Sequence, residues 1–233
     1  MINTTTKYTV ALSLLSISIW SASSPAYGQT GRRPQRGGDP PISMLGDHNY
    51  AIKTTDGYTI VWNEDGIHFQ LDLRGKDVRQ MEQPPGSGII PFRADGIVFQ
   101  VTSAPISEFA KNARRQKLSD QAILAAYLDW ERRYHEQELG ARLTVTSTPQ
   151  QLATGTQVLL WKLDIPKGKA TNQLYCTTVC GSQVIILAGV IDGKTTESKV
   201  QKLLLDTMST LKVSSRPINL DPTVIVVKDR GKN

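Results

Sequence analysis

His135 and Glu136 stand side by side in a helical stretch. They open the pattern in which two histidines four residues apart hold zinc while a glutamate acts as base. The residue four after His135 is Leu139, so the second ligand is missing. Gly189-Val190-Ile191-Asp192-Gly193-Lys194-Thr195 follows a strand-like run and opens a helical one, as a phosphate-binding loop does. That loop needs four residues between its glycines so that the backbone can curl round a phosphate, and here there are three. The segment reads instead as a turn with a helix cap at Thr195 or Thr196. Asn63-Glu64-Asp65-Gly66 lacks the oxygen-ligand spacing and the closing glutamate of a calcium loop, and reads as a hairpin turn. Gly86-Ser87-Gly88 lacks the strand-to-helix setting of a nucleophile elbow. Glu136 and Glu138 are two apart on a helix and point different ways. His48 and His68 have no ligand partners nearby in the chain. No residue is singled out as catalytic, cofactor-binding or metal-ligating.

Cys176 and Cys180 leave two readings open. In one extended strand they stand ~13 Å apart at ~3.3 Å per residue, whereas a disulfide needs Cα atoms within ~7 Å. A bridge therefore requires the chain to turn early, around residues 177–179. Two separate thiols are the other reading, and zinc or haem attachment needs other spacings.

Positioning elements are legible from periodicity. Asp-Gly recurs at Asp56-Gly57, Asp65-Gly66, Asp95-Gly96 and Asp192-Gly193, a pair suited to tight turns. The first three precede alternating apolar segments, which predicts a meander of strands over 50–54, 58–62 and 67–73, with another at 97–102. Later strands are expected over 143–146, 157–165, 173–179 and 183–191. The last is apolar on both faces, as a strand covered above and below requires, and Cys180-Gly181-Ser182 is the expected turn before it. Ser119 and Gly140 bracket a helix with a predicted inward stripe of Ile123, Tyr127, Trp130 and Tyr134. Its exposed flanks carry Asp129 with Arg133 and Arg132 with Glu136. A second helix over 196–211 turns Val200, Leu203, Leu204, Met208 and Leu211 inward. Together these predict an α+β domain: one mainly antiparallel sheet flanked by helices.

Residues 1–28 read as a signal peptide: Lys7, an apolar run from Tyr8 to Trp20, and Pro25-Ala26-Tyr27-Gly28 with a cut after Gly28. The run is shorter than the ~20 residues a membrane-spanning helix needs and is broken by serines. A Pro/Gly/Arg-rich linker (29–44), a single domain (45–215) and a C-terminal tail (216–233) follow. The formal charge of +6 dissolves once located: the body of the chain from 40 to 215 holds 19 basic and 18 acidic residues. A nucleic-acid groove needs positive charge concentrated on the fold, so that class is excluded. One local cluster remains, Lys111, Arg114, Arg115 and Lys117, read as a solvated face or as a site for an anionic partner.

An N-terminal meander, the helix SDQAILAAYLDWERRYHEQELG, the strands in QLYCTTVCGSQVIILAGVI and the closing helix ESKVQKLLLDTMSTLKV resemble the PsbP-like fold. That family contains an extrinsic photosystem II subunit and Mog-type Ran-binding proteins. The resemblance implies an antiparallel sheet between helices (an α/β/α sandwich) and an accessory or binding role, and carries no functional residue. The Arg-rich spacer and the strand-like tail 223–227 fall outside its pattern.

The functional expectation is a secreted or periplasmic, non-enzymatic domain that binds an envelope or secreted protein. Two other classes stay open. One is an enzyme whose site converges from distant segments, recognised by a pocket holding His68 or His135 beside a carboxylate. The other is a small-ligand carrier with Trp62, Trp130 or Trp161 lining a cavity.

Overall fold

The computed structural model describes residues 42–44, 49–64, 66–81, 91–166, 172–192 and 194–219. The leader with its cut after Gly28, most of the linker, and the tail from 220 onward lie outside them. So do His48, Asp65, Gly86, Ser87, Gly88, Gly193 and the side chain of Arg114. In chain order the elements are β1 (Ile42–Met44), β2 (Tyr50–Thr54), β3 (Gly57–Glu64), β4 (Ile67–Arg74), β5 (Arg79–Gln80), β6 (Phe92–Ala94) and β7 (Ile97–Pro105). There follow α1 (Ile106–Phe109), α2 (Ala113–Gln116), α3 (Asp120–Leu139), β8 (Thr144–Gln151), β9 (Gln157–Asp164), β10 (Asn172–Cys180), β11 (Gln183–Ile191), α4 (Glu197–Met208) and β12 (Lys212–Ser214).

The α+β class stands, with the antiparallel strands in two sheets rather than one. Five strands are ordered β1-β2-β3-β4-β12 and seven are ordered β5-β6-β7-β11-β10-β9-β8. The meander forms a sheet of its own because β12 closes the outer side of β4, pairing Val213 with Phe69. β4 alternates buried with half-buried positions, as a sheet packed on one face only must. Its Ile67, Phe69, Leu71 and Leu73 meet Ile185 and Leu187 of β11 and Leu204 of α4 in one apolar cluster. A second cluster fills the opposite face of the seven-stranded sheet, joining α1 and α3 to Trp161, Tyr175 and Ile186. β11 thus has apolar layers above and below. Gly189 in that strand lets α4 settle close, since a Cβ there would lie 2.5 Å from Val200.

Cys176 and Cys180 are both free and buried. β10 runs unbroken through Cys180, and the turn falls at Gly181-Ser182, so the early bend that a bridge requires does not occur. Burial pushes the Cys176 thiol up to about 12 and raises that of Cys180. Because thiolate is the reactive form, a thiol reagent is expected to leave the native chain unlabelled over minutes and to label two sites in denaturant. Fast labelling of the native chain would contradict this burial.

The side chain of Asn63 clamps the chain beyond β12. It donates from Nδ2 to the Ile218 carbonyl at 3.0 Å and accepts the Ile218 N–H at 2.9 Å. The described polypeptide therefore ends beside the β3–β4 turn.

Candidate functional site

Helix α3 ends where its sequence signals put it. Ser119 accepts the Ala122 N–H at 3.3 Å, and Gly140 closes the helix in the left-handed conformation. Arg132 bonds Asp129 at 2.6 Å and Glu136 at 2.8 Å, and Arg133 also bonds Asp129, so the predicted flanks are solvent-facing ion pairs. The inward stripe differs from the expected one. It runs through Ile123, Leu124, Tyr127, Leu128, Glu131 and His135, while Trp130 and Tyr134 are only half-buried. Steps of four from Tyr127 place a carboxyl and an imidazole where two aromatic rings were expected.

That polar pair is the most unusual chemistry in the fold. Tyr127 donates its hydroxyl to Glu131 Oε1 at 2.5 Å. Glu131 Oε2 lies 3.7 Å from His135 Nε2. Neither ring nitrogen of His135 has a hydrogen-bond partner among the described residues. Beneath them Trp161 of β9 stacks on Tyr175 of β10, ring centres 3.8 Å apart. Burial raises the Glu131 carboxyl to about 7, partly offset by the bond from Tyr127. Burial also lowers His135 to about 4. An acid and a base are therefore adjacent, yet both are packed into the core and line neither of the two clefts described next. Trp62, Trp130 and Trp161 line neither cleft either: Trp161 is in the core and Trp62 stacks on Phe69. His68 pairs with Asn63 and Ser214 across its two neighbouring strands and lines neither cleft.

The larger cleft, about 580 Å³, lies between β4, the β6–β7 turn and α4. Its polar groups are mostly spent on each other and on nearby backbone. Arg74 holds Asp72 at 3.2 Å, Lys202 holds Asp206 at 2.6 Å, and Asp95 accepts the Lys76 N–H at 2.8 Å.

The smaller cleft, about 390 Å³, is built differently. The Ile106 N–H donates to the Ser182 carbonyl at 2.9 Å, pinning α1 to the β10–β11 turn. One-turn helices α1 and α2 then lead to the cap of α3. Ile106, Ala113 and Ile123 form a buried floor and Leu118 a half-buried wall, with Lys111 and Lys117 on the rim. Arg115, between them in the chain, is exposed on α2. Among the described residues these three cations make no ion pair and no acid lines the cleft. An apolar recess under an unneutralised rim suits a ligand that is anionic outside and apolar within. Sequence reasoning found the cations but not the floor, which is assembled from residues between 106 and 123 and a turn some 60 residues further on.

No helix among the described residues is long and apolar enough to cross a membrane. No protein-family model matches the chain, and no curated protein matches it. Among solved structures, the solution structure of cyanobacterial PsbP from Synechocystis is similar at 12% identity, covering 75% of this chain and all of that one with a TM-score of 0.42. A crystal structure from Bacteroides thetaiotaomicron is similar at 14% identity, over 70% of this chain and 54% of that one, with a TM-score of 0.29. This is a weak PsbP-like likeness of fold, and it carries no function to this chain.

Proposed function

We propose that this chain is an exported accessory domain that binds an envelope or secreted protein, without chemistry of its own, through the basic-rimmed cleft beside α1 and α2. The observation that carries this reading is the pairing of a recessed apolar floor with Lys111 and Lys117 on a rim where no described residue is acidic. The leader-like segment 1–28 supports export. The enzyme alternative would need substrate to reach Glu131 and His135, which are buried away from both clefts. The carrier alternative would need tryptophans around a cavity, and those of this fold pack in the core or in aromatic stacks.

The test is photo-crosslinking in the producing cells. A benzophenone side chain at the exposed Gln116 is expected to give one discrete adduct with an envelope or secreted protein. The same probe at the exposed Thr148 on β8 should give none. Equal adducts from both positions, or none from Gln116, would overturn the assignment of the cleft. Substrate turnover lost on Glu131→Gln substitution would overturn the non-enzymatic reading.

A further inference from the structure

We infer that the occupant of this cleft is an acidic polypeptide segment that seats one bulky apolar side chain between α1, α2 and α3 and lays its carboxylates along Lys111, Arg115 and Lys117. The inference rests on the reading above and adds the chemistry of the partner.

Three observations select this class. First, the apolar surface is recessed: Ile106 and Ile123 are each 7% exposed and Ala113 is 4% exposed. A flat membrane surface cannot touch such a floor, whereas an inserted side chain can. The one large apolar residue left exposed among the described residues is Val213, on β12 of the other sheet. Second, the charge is distributed. One head group needs one cation, but the rim carries two, Lys111 and Lys117, at separate positions, and Arg115 is exposed between them in the chain, matching a run of carboxylates. Glu108 and Asp120, the nearest acids in the chain, are absent from the lining. A volume of about 390 Å³ accommodates one or two side chains, not a whole secondary-structure element.

Third, Lys117 occupies a strained position. Its φ is +52°, in the left-handed region. The Leu118 N–H donates back to the Ala113 carbonyl at 3.1 Å, so Lys117 is the residue that ends α2. Glycine is the relaxed choice at such a helix end. A lysine there sacrifices stability while extending a cation over the cleft, and backbone strain of this kind concentrates at functional positions.

The purified chain is titrated with fluorescein-labelled nonapeptides bearing four Asp or Glu around a central Phe. Control peptides carry Ser for Phe, or Lys for the acids, and separate arms use laurate and phosphatidylglycerol vesicles. The acidic Phe peptides are expected to bind with an affinity that falls as salt rises. The Ser and Lys peptides should lose roughly tenfold or more, and Lys111→Ala with Arg115→Ala should weaken binding by roughly tenfold. Lys117→Gly should raise Tm by about 2–4 °C while weakening binding severalfold. Lys117→Ala should weaken binding with no rise in Tm. Opposite signs in one variant distinguish a binding lysine from a structural one. Equal binding of Phe and Ser peptides, or binding of laurate or vesicles indifferent to Lys117, overturns the proposal. A Gln116 adduct combined with no acidic-peptide binding overturns the peptide chemistry and leaves the binding-domain reading standing. Peptide binding without an adduct overturns the cellular role assigned to the cleft and leaves the peptide chemistry standing.

Discussion

Gly57→Ala is expected to cost roughly 3 kcal/mol or more and to lower Tm by roughly 10 °C. Gly57 opens β3 with φ +146°, and a Cβ on it would lie 1.9 Å from the Leu73 carbonyl oxygen of β4. That oxygen belongs to the neighbouring strand of the meander and cannot retreat without disturbing the ladder that pairs Gly57 with Arg74. Gly66 and Gly96 also sit after aspartate in tight turns, with φ of +71° and +82°, but a Cβ at either meets nothing within 4 Å. Alanine at those two positions bears only the left-handed backbone penalty, about 1 kcal/mol. Thermal melts of the three variants are the check. A Gly57→Ala chain that melts within a degree or two of Gly66→Ala would show that the close approach to Leu73 is not rigid.

Those turns illustrate what a chain reveals about itself. All carry the same dipeptide, and the dipeptide reports the need for a turn. It cannot report that one of the three abuts a carbonyl of a strand sixteen residues ahead. Local signals fared well elsewhere: Ser119 and Gly140 delimit α3, and Thr196 caps α4 by accepting the Lys199 N–H at 3.4 Å. β11 read as covered on both faces because its side chains are apolar from Val184 onward, and it is. The short strands β5, β6 and β12 have two or three residues each, too few for any period to register.

The two places of chemical interest were obscured for opposite reasons. At Glu131 and His135 the spacing was correct and the residue type misled: polar side chains on a helix signal solvent, and Trp130 and Tyr134 offered a plausible apolar stripe one residue away. Only the position of β9 and β10 decides which stripe faces inward. At the cleft the cations were visible as Lys111, Arg115 and Lys117, but their meaning depends on Ile123 and the Gly181-Ser182 turn lying beneath and beside them. Contacts between distant segments leave no periodic trace in a sequence.

The buried pair should also govern how stability responds to pH, through two slopes that hide one another. Glu131 is raised from 4.5 to about 7 by burial, with Tyr127 and Tyr134 on α3 and Tyr175 on β10 as its other titratable neighbours besides His135. Its contribution to stability is complete below pH 4.5 and is lost as pH climbs through about 7, because the unfolded chain releases the proton first. His135 is lowered from 6.5 to about 4, so its contribution is complete above pH 6.5 and is lost as pH falls through about 4. Each shift amounts to about 3 kcal/mol. Between about pH 4.5 and 6.5 the two nearly cancel, and the pair imposes little slope on the intact protein. Removing one partner exposes the other. Glu131→Gln keeps an acceptor for the Tyr127 hydroxyl, and its stability should climb by about 3 kcal/mol from pH 4 to 6.5. His135→Leu should lose about 3 kcal/mol from pH 4.5 to 7. Urea unfolding across this range, referenced to the double variant to remove the background of surface carboxylates, measures both. Parallel curves for the two single variants would mean that the pair is hydrated in the native state and that its burial does not control its protons.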